Sequence, residues 1–415
     1  MRSPSTHDRT LTDYGPIVGS DRIRHIQTLA DNLSETRVLH VNSAASGGGV
    51  AELLRSLVPL FMDVGVETDW FVMDAGESFF DVTKSLHNGL QGDEITLTDE
   101  MKATYRTVTE RNATAVTNAY DIIVLHDPQP LGMISFLKDR YPDTTFVWRC
   151  HLDVTSPARS ILEFVSDYVR RFDHVVFSRA AYGREVAGPA STVIHPAIDP
   201  LGEKNRRLDQ AEAAIERNRL EADGLSFDVP VVTQVSRFDP WKDHSGVIDA
   251  FRRIKTIVPN ARLVLVGGMA DDDPEGVEIY DRTVAKVSDD TDVHVLTDLP
   301  DTTVNFLQRH ADVVVQKSLR EGFGLVVSEA LWKRTPVIGS NVGGIPLQIA
   351  DAENGYLVEP TDLETVSDRM IRLLTDGSLR QQLGNHGRMT IRKQFLLPRQ
   401  LADCLELFGE LRDTV

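Results

Sequence analysis

Two carboxylates, Glu321 and Glu329, stand eight positions apart in "SLREGFGLVVSEA" (318–330), with a Gly-Phe-Gly step directly after the first. Gly322 and Gly324 let backbone N–H groups come close to a ligand. An ordinary helix with one first-turn acid and one surface acid has no need of that step, nor of Lys317 beside it. Upstream, "SRFDPWKDH" (236–244) sets Arg237 and Lys242 five apart across a loop. A guanidinium fork and an ammonium point charge suit a diphosphate, although surface salt bridging would use the same residues. "SAASGGGVAE" (43–52) offers a glycine run at a helix start, suited to an anion or to a tight turn. "RCHLDVTSP" (149–157) puts His151 and Asp153 after an apolar stretch, where the histidine faces solvent, structure or a substrate. A metal centre is not expected, because the pair lacks a third ligand nearby and Cys150 and Cys404 are far apart.

The elements that must carry these loops are short apolar runs alternating with helical patterns. "TRVLHV", "TDWFVM", "DIIVLHD", "TTFVWRCH", "HVVFSR" and "STVIHP" form one series. "VPVVTQV", "ARLVLVGG", "DVHVLTD", "DVVVQKS", "TPVIGSN" and "GYLVEP" form a second. All-apolar strands separated by helices predict parallel sheets covered on both faces, hence an α/β chain with two doubly wound domains. The polar stretch 198–228 reads as a linker with a short helix, between a domain of residues 1–197 and one of residues 229–394. The amphipathic segment 395–415 needs a partner surface and is expected to complete the first domain. Ligands on such sheets sit at the carboxyl ends of strands, which is where every loop above falls.

Composition narrows the function. A chain of 415 residues is long enough for two full cores. A net charge of −18 argues against a nucleic-acid partner, and ten lysines beside 34 arginines fit a saline cytoplasm or a GC-rich genome. No apolar run is long enough for a membrane span, the polar N-terminus lacks a signal-peptide core, and two distant cysteines suit a reducing cytoplasm.

"EGFGLVVSE" resembles the Glu–seven residues–Glu signature of retaining glycosyltransferases of the GT-B fold, the large family with sucrose synthase and glycogen synthase-like members. "VNSAASGGGVAELL", "VSRFDPWKD" and "GSNVGGIP" stand in the expected order, so the resemblance covers nearly the whole chain. "SFFDVTKSLHNGLQG" (78–92) and "LHDPQPLG" (125–132) are similar to the trehalose glycosyltransferring synthases, with trehalose phosphorylases as the first rival. The resemblance implies two Rossmann-like domains facing a cleft, an N-terminal acceptor domain and a C-terminal donor domain. It implies transfer of glucose from UDP-, ADP- or GDP-glucose to free glucose, with no cofactor and no metal, in a homodimer. Residue by residue, it gives Arg237 and Lys242 the donor diphosphate, Glu321 the glucose hydroxyls and Glu329 the ribose. Gly322, Phe323, Gly324 and Leu325 surround the sugar and phosphate, and Gly48 and Gly49 close on the diphosphate. His151 contacts the donor glucose near its reactive carbon. Lys84, His87, Asn88, Gln91 and Asp153 form the acceptor side.

A nicotinamide oxidoreductase would share the sheets but wants G-x-G-x-x-G, which glycines 47–49 do not supply. A non-catalytic sugar-nucleotide sensor remains open, although His151, Arg237, Lys242 and Glu321 are all intact.

Overall fold

Each apolar run named above becomes a strand of one of two parallel six-stranded sheets. The computed structural model of the protein describes residues 9–46, 48–186, 188–268 and 275–413. The first sheet holds β1 (Arg37–Asn42), β2 (Glu67–Val72), β3 (Ile122–His126), β4 (Thr145–Cys150), β5 (His174–Phe177) and β6 (Ser191–Val193), in the order β2-β1-β3-β4-β5-β6. The second holds β7 (Val231–Val235), β8 (Arg262–Gly267), β9 (Val293–Thr297), β10 (Val313–Gln316), β11 (Val337–Ser340) and β12 (Tyr356–Val358), in the order β12-β11-β10-β7-β8-β9. Every residue of β3, β4, β5, β10 and β11 is buried, the mark of strands covered on both faces.

Strand order reverses once in each sheet. The chain runs β7, β8, β9 outward on one side and resumes with β10 on the other side of β7. The first sheet does the same between β1 and β3. The connections leaving a reversal depart over opposite faces, so the carboxyl ends there stay open for a ligand.

The chain divides into two units, one formed by residues up to Ala197 with Leu397 onward, the other within Ile198–Leu396. Residues 198–228 are part of the second unit rather than a loose tether. Their helix Gln210–Ala222 starts on a reciprocal Asp209–Glu212 capping box. Leu208, Leu220 and Leu225 then pack with Val231, Val264, Phe306 and Leu307. The apolar residues hidden in that charged stretch supply the burial that a free linker lacks. The helix Leu397–Arg412 packs in the first unit. Phe408 stacks on Phe61 with ring centroids 5.7 Å apart, and Arg399 Nη2 donates to His195 O at 2.7 Å. No helix among the described residues is long and apolar enough to cross a membrane.

The loop after β3 hangs on one phenol. Tyr105 is fully buried; its Oη donates to Pro128 O at 2.7 Å and accepts from Gly132 N at 2.9 Å. Tyr105→Phe keeps the shape but strands a buried carbonyl and a buried N–H. It should destabilise the protein by roughly 1–3 kcal/mol, read as a lower urea midpoint with unchanged slope. An unshifted midpoint would show the two backbone groups finding other partners.

Candidate active site

In the second unit the loops after β7 and β10 lie at the strand reversal. The β7 loop begins at Ser236 and carries Arg237, Asp239, Lys242 and Asp243. Asp239 caps the turn at Pro240–Lys242 by accepting from Trp241 N at 2.8 Å, and its Oδ2 lies 3.7 Å from Arg237 Nη2. Asp243 takes a left-handed φ of 47°, accepts from Gly246 N at 3.0 Å and starts the helix His244–Ile254. Its other oxygen is paired with the buried ammonium of Lys317 at the end of β10. That ion pair links the two loops.

The second link joins two of the residues singled out in the sequence. Lys242 Nζ donates to Glu321 Oε2 at 2.8 Å, and the same oxygen receives Gln316 Nε2 and Ser318 Oγ, each at 3.1 Å. Sequence reasoning put a cation for phosphate and an acid for sugar on separate loops; the fold brings them into contact. Gly324 then adopts φ 81°, a left-handed turn that other residues enter at a cost, and the helix Leu325–Trp332 begins. Phe323 is buried against Gly344, where a Cβ would lie 2.7 Å from Phe323 Cα. Gln348 Nε2 holds Phe323 O at 2.7 Å, so the Gly-Phe-Gly step is fastened from both sides.

Glu329 is the fifth residue of its helix, little more than one turn in, and it is only 3% exposed. Its Oε2 accepts from Gln308 Nε2 at 3.2 Å. Gln308 Oε1 in turn takes Lys333 Nζ at 2.7 Å, and Lys333 also donates to Asn205 Oδ1 at 2.8 Å. Burial pulls the Lys333 amine well below the usual lysine range, with the Glu329 carboxylate acting against it. A surface acid would need none of this support.

In the first unit, His151 follows β4. Its backbone N–H donates to Asp127 Oδ1 at 2.7 Å, and Asp127 itself takes φ 63° straight after β3. A non-glycine residue held left-handed at a strand end is stored strain of the kind found beside functional groups. The His151 ring is stacked on His126 and joined to it, Nε2 to Nδ1, at 3.0 Å. His126 Nε2 meets His40 Nδ1 on β1, again at 3.0 Å. Asp153 is buried and bonded by Thr155 N and Oγ1 at 3.1 and 2.7 Å. Lys84, His87 and Asn88 ride on the helix Glu77–Leu90, with Gln91 at its end. Asn88 Oδ1 and Gln91 Oε1 are buried polar atoms without a hydrogen-bond partner among the described residues. Gly48 caps and Gly49 opens the helix Gly49–Asp63; Gly47 lies outside the described residues. Among the described residues no three His, Cys, Asp or Glu side chains form a set able to hold a metal ion.

Sequence reasoning passed over His40, His126, Gln308, Gln316 and Lys333. The signal was present for the three of these that lie in or beside apolar runs: His40 and His126 interrupt "RVLHVN" and "IIVLHD", and Gln316 ends "VVVQ". A polar side chain in a strand buried on both faces requires a partner. Gln308 and Lys333 sit on helices, where nothing in the spacing marks them.

Two parallel six-stranded α/β units are the architecture of the GT-B fold. The fold superposes on sucrose-phosphate synthase from Thermosynechococcus elongatus with a TM-score of 0.73 at 19% identity, over 92% of this chain and 100% of that one. Residues 40–184 match the family described as trehalose synthase, N-terminal domain, and residues 217–390 match glycosyl transferases group 1. The trehalose synthase of Rubrobacter xylanophilus is 42% identical over 410 residues, 97% of either chain. A trehalose phosphorylase of Pleurotus pulmonarius is 27% identical over 428 residues, spanning 91% of this chain and 58% of that one. The chain belongs to the trehalose synthase family.

Burial gives the protein a defined acid sensitivity. Burial pushes the His40 ring down to about 3; burial, followed by Lys242, pushes His244 down to about 4. Both rings are depressed below the usual histidine value near 6.5, so the unfolded chain binds protons first as pH falls. Stability is therefore complete above about 6.5 and is lost as pH falls from there to about 4 for His244 and to about 3 for His40. Each ring should cost about 2 kcal/mol on going from pH 7 to pH 5, measured by urea unfolding at both values. Equal stability at the two pH values would mean the rings are not held neutral.

Proposed function

We propose that the protein makes trehalose by moving glucose from a nucleoside-diphosphate glucose to free glucose with retention at the anomeric carbon. One observation carries the reading: Lys242, on the β7 loop, contacts Glu321, on the β10 loop, at an open strand reversal. A diphosphate and the sugar attached to it are adjacent groups, and they call for a cation and an acid side by side. Family membership supplies the sugar product.

The residues divide the work as follows. Arg237 and Lys242 stabilise negative charge that grows on the departing diphosphate. Glu321 binds glucose hydroxyls and Glu329, braced by Gln308, binds the ribose. Gly322, Phe323, Gly324 and Leu325 present backbone N–H groups, as do Gly48 and Gly49 at the start of the helix Gly49–Asp63. His151 touches the donor glucose. Lys84, His87, Asn88, Gln91 and Asp153 receive the acceptor; the unpartnered oxygens of Asn88 and Gln91 support that role, since hydroxyl donors would satisfy them. With two side-chain cations at the diphosphate, the reaction needs neither metal nor cofactor. The same resemblance supports a cytoplasmic homodimer.

Trehalose should form from UDP-, ADP- or GDP-glucose and glucose in the presence of a chelator, followed by release of the nucleoside diphosphate. Loss of activity on chelation and its return with magnesium would remove the metal-free reading. Glucose 1-phosphate appearing from trehalose and phosphate, with no turnover of any nucleotide sugar, would make the protein a phosphorylase.

The clamp and the two acids are separable. Arg237→Ala or Lys242→Ala should lower kcat more than affinity for glucose, each by about 2–4 kcal/mol of barrier. Glu329→Ala should weaken binding of the nucleoside diphosphate itself. Glu321→Ala should leave that binding nearly intact while lowering transfer from the nucleotide sugar. Calorimetric titration with both ligands distinguishes these. Equal loss of both ligands by both variants would assign the acids to holding the loops.

A further inference from the structure

Behind His151 the three imidazoles run inward across adjacent strands, from the end of β4 through the end of β3 to the middle of β1. The two ring-to-ring contacts, both 3.0 Å, are hydrogen bonds that need one N–H and one bare nitrogen each. Burial holds all three rings below the ordinary histidine range, so each is neutral at pH 7 and carries a single N–H. Only two arrangements satisfy both contacts. Either every N–H points toward His151, or every N–H points toward His40. The chain therefore behaves as one switch with two settings.

Its inner end decides the setting. His40 Nε2 is buried without a partner, and so is Gln400 Oε1, on the helix Leu397–Arg412. Both side chains line, with His126, His151 and Arg149, one cavity of about 30 Å³ whose wall is almost wholly apolar. A cavity lined that way stays dry and offers a buried nitrogen no acceptor. Arg149 turns its own donors to Phe177 O and Ile194 O at 3.1 and 2.6 Å. Gln400 Oε1 is not its partner either, since both atoms are unpartnered. Buried N–H groups are orphaned more rarely than buried acceptors, which makes the unpartnered His40 nitrogen the bare one.

We infer that the apolar cavity at His40 Nε2, which holds no acceptor for an N–H, sets the His40–His126–His151 chain so that His151 carries its proton on Nδ1. His40 Nδ1–H then donates to His126 Nε2, and His126 Nδ1–H donates to His151 Nε2. The nitrogen of His151 outside the chain is thereby a hydrogen-bond donor and has no lone pair to accept a proton. On the glycosyltransferase reading, to which this consequence is tied, His151 holds a sugar oxygen and is not the base that deprotonates the acceptor. His40 and His126 are positioning residues acting through His151.

Nitrogen-15 NMR of histidine-labelled full-length protein at pH 7 tests the setting directly, because protonated and bare ring nitrogens resonate far apart. His151 is assigned by its loss in His151→Gln. An Nδ1–H signature at His151 is expected, and an Nε2–H signature overturns the inference. His40→Phe removes the first donor of the chain, so His151 should gain an Nε2–H population and kcat should fall about tenfold with little change in KM for the nucleotide sugar. His40→Asn keeps an N–H near the position of Nδ1 and should restore both the signature and the rate. An unchanged His151 spectrum in His40→Phe overturns the inference. A crystal structure should show no ordered water at His40 Nε2; a water there, able to accept from an Nε2–H, overturns the cavity's part. The spectra need no turnover, so they stand or fall separately from the assigned reaction.

Discussion

Reversal of strand order is the constraint on which both units depend. In a parallel sheet each strand must be followed by a crossing that returns the chain to the same end, and helices along those crossings cover the faces. Where successive crossings leave in opposite directions, two carboxyl ends lie side by side with no helix over them. At β7 and β10 the sequence fills that opening with Arg237, Lys242, Glu321 and their partners. At β1, β3 and β4 it fills the corresponding end with the glycine segment, Asp127 and His151.

Filling such an opening with charge is costly unless each charge is answered. Lys317 is buried and paired with Asp243, and Lys242 with Glu321, so the loops after β7 and β10 are joined by two ion pairs. Removing one member of a buried pair leaves the other uncompensated, which costs far more than the pair itself contributes. Asp127 and Asp243 belong to the same placement: Asp127 turns the chain directly after β3 and accepts from His151 N beyond β4, while Asp243 turns it into the helix His244–Ile254 and accepts from Gly246 N.

The strands were readable because burial on both faces leaves little room for anything but apolar residues, and those runs survive in the sequence as unbroken blocks. Placement of Glu321 and Lys242 on loops was readable for the same reason, since the loops begin where the blocks end. Their contact was not. Seventy-nine positions separate them, and nothing local specifies which strands become neighbours across a reversal. The depth of Glu329 was also hidden, because a single acid on a short apolar helix looks alike whether it faces solvent or Gln308. Residues 198–228 misled in the opposite direction. Their charge suggested a tether, while three leucines spaced through them were enough to dock the segment.

The helix Leu397–Arg412 is the last long element of the chain, yet its Phe408 lies against Phe61 and His40 among the earliest elements. The second unit is thus an insertion within the first, and Ile198 and Leu396 meet at its base as a parallel bridge. During synthesis the inserted unit emerges whole while the unit begun before it still lacks a wall. Domains made first usually fold first. Here the order is inverted: the first-made sheet must keep its apolar end, and the histidine on β1, exposed until the closing helix leaves the ribosome. That interval is when the nascent chain is most vulnerable to misassociation.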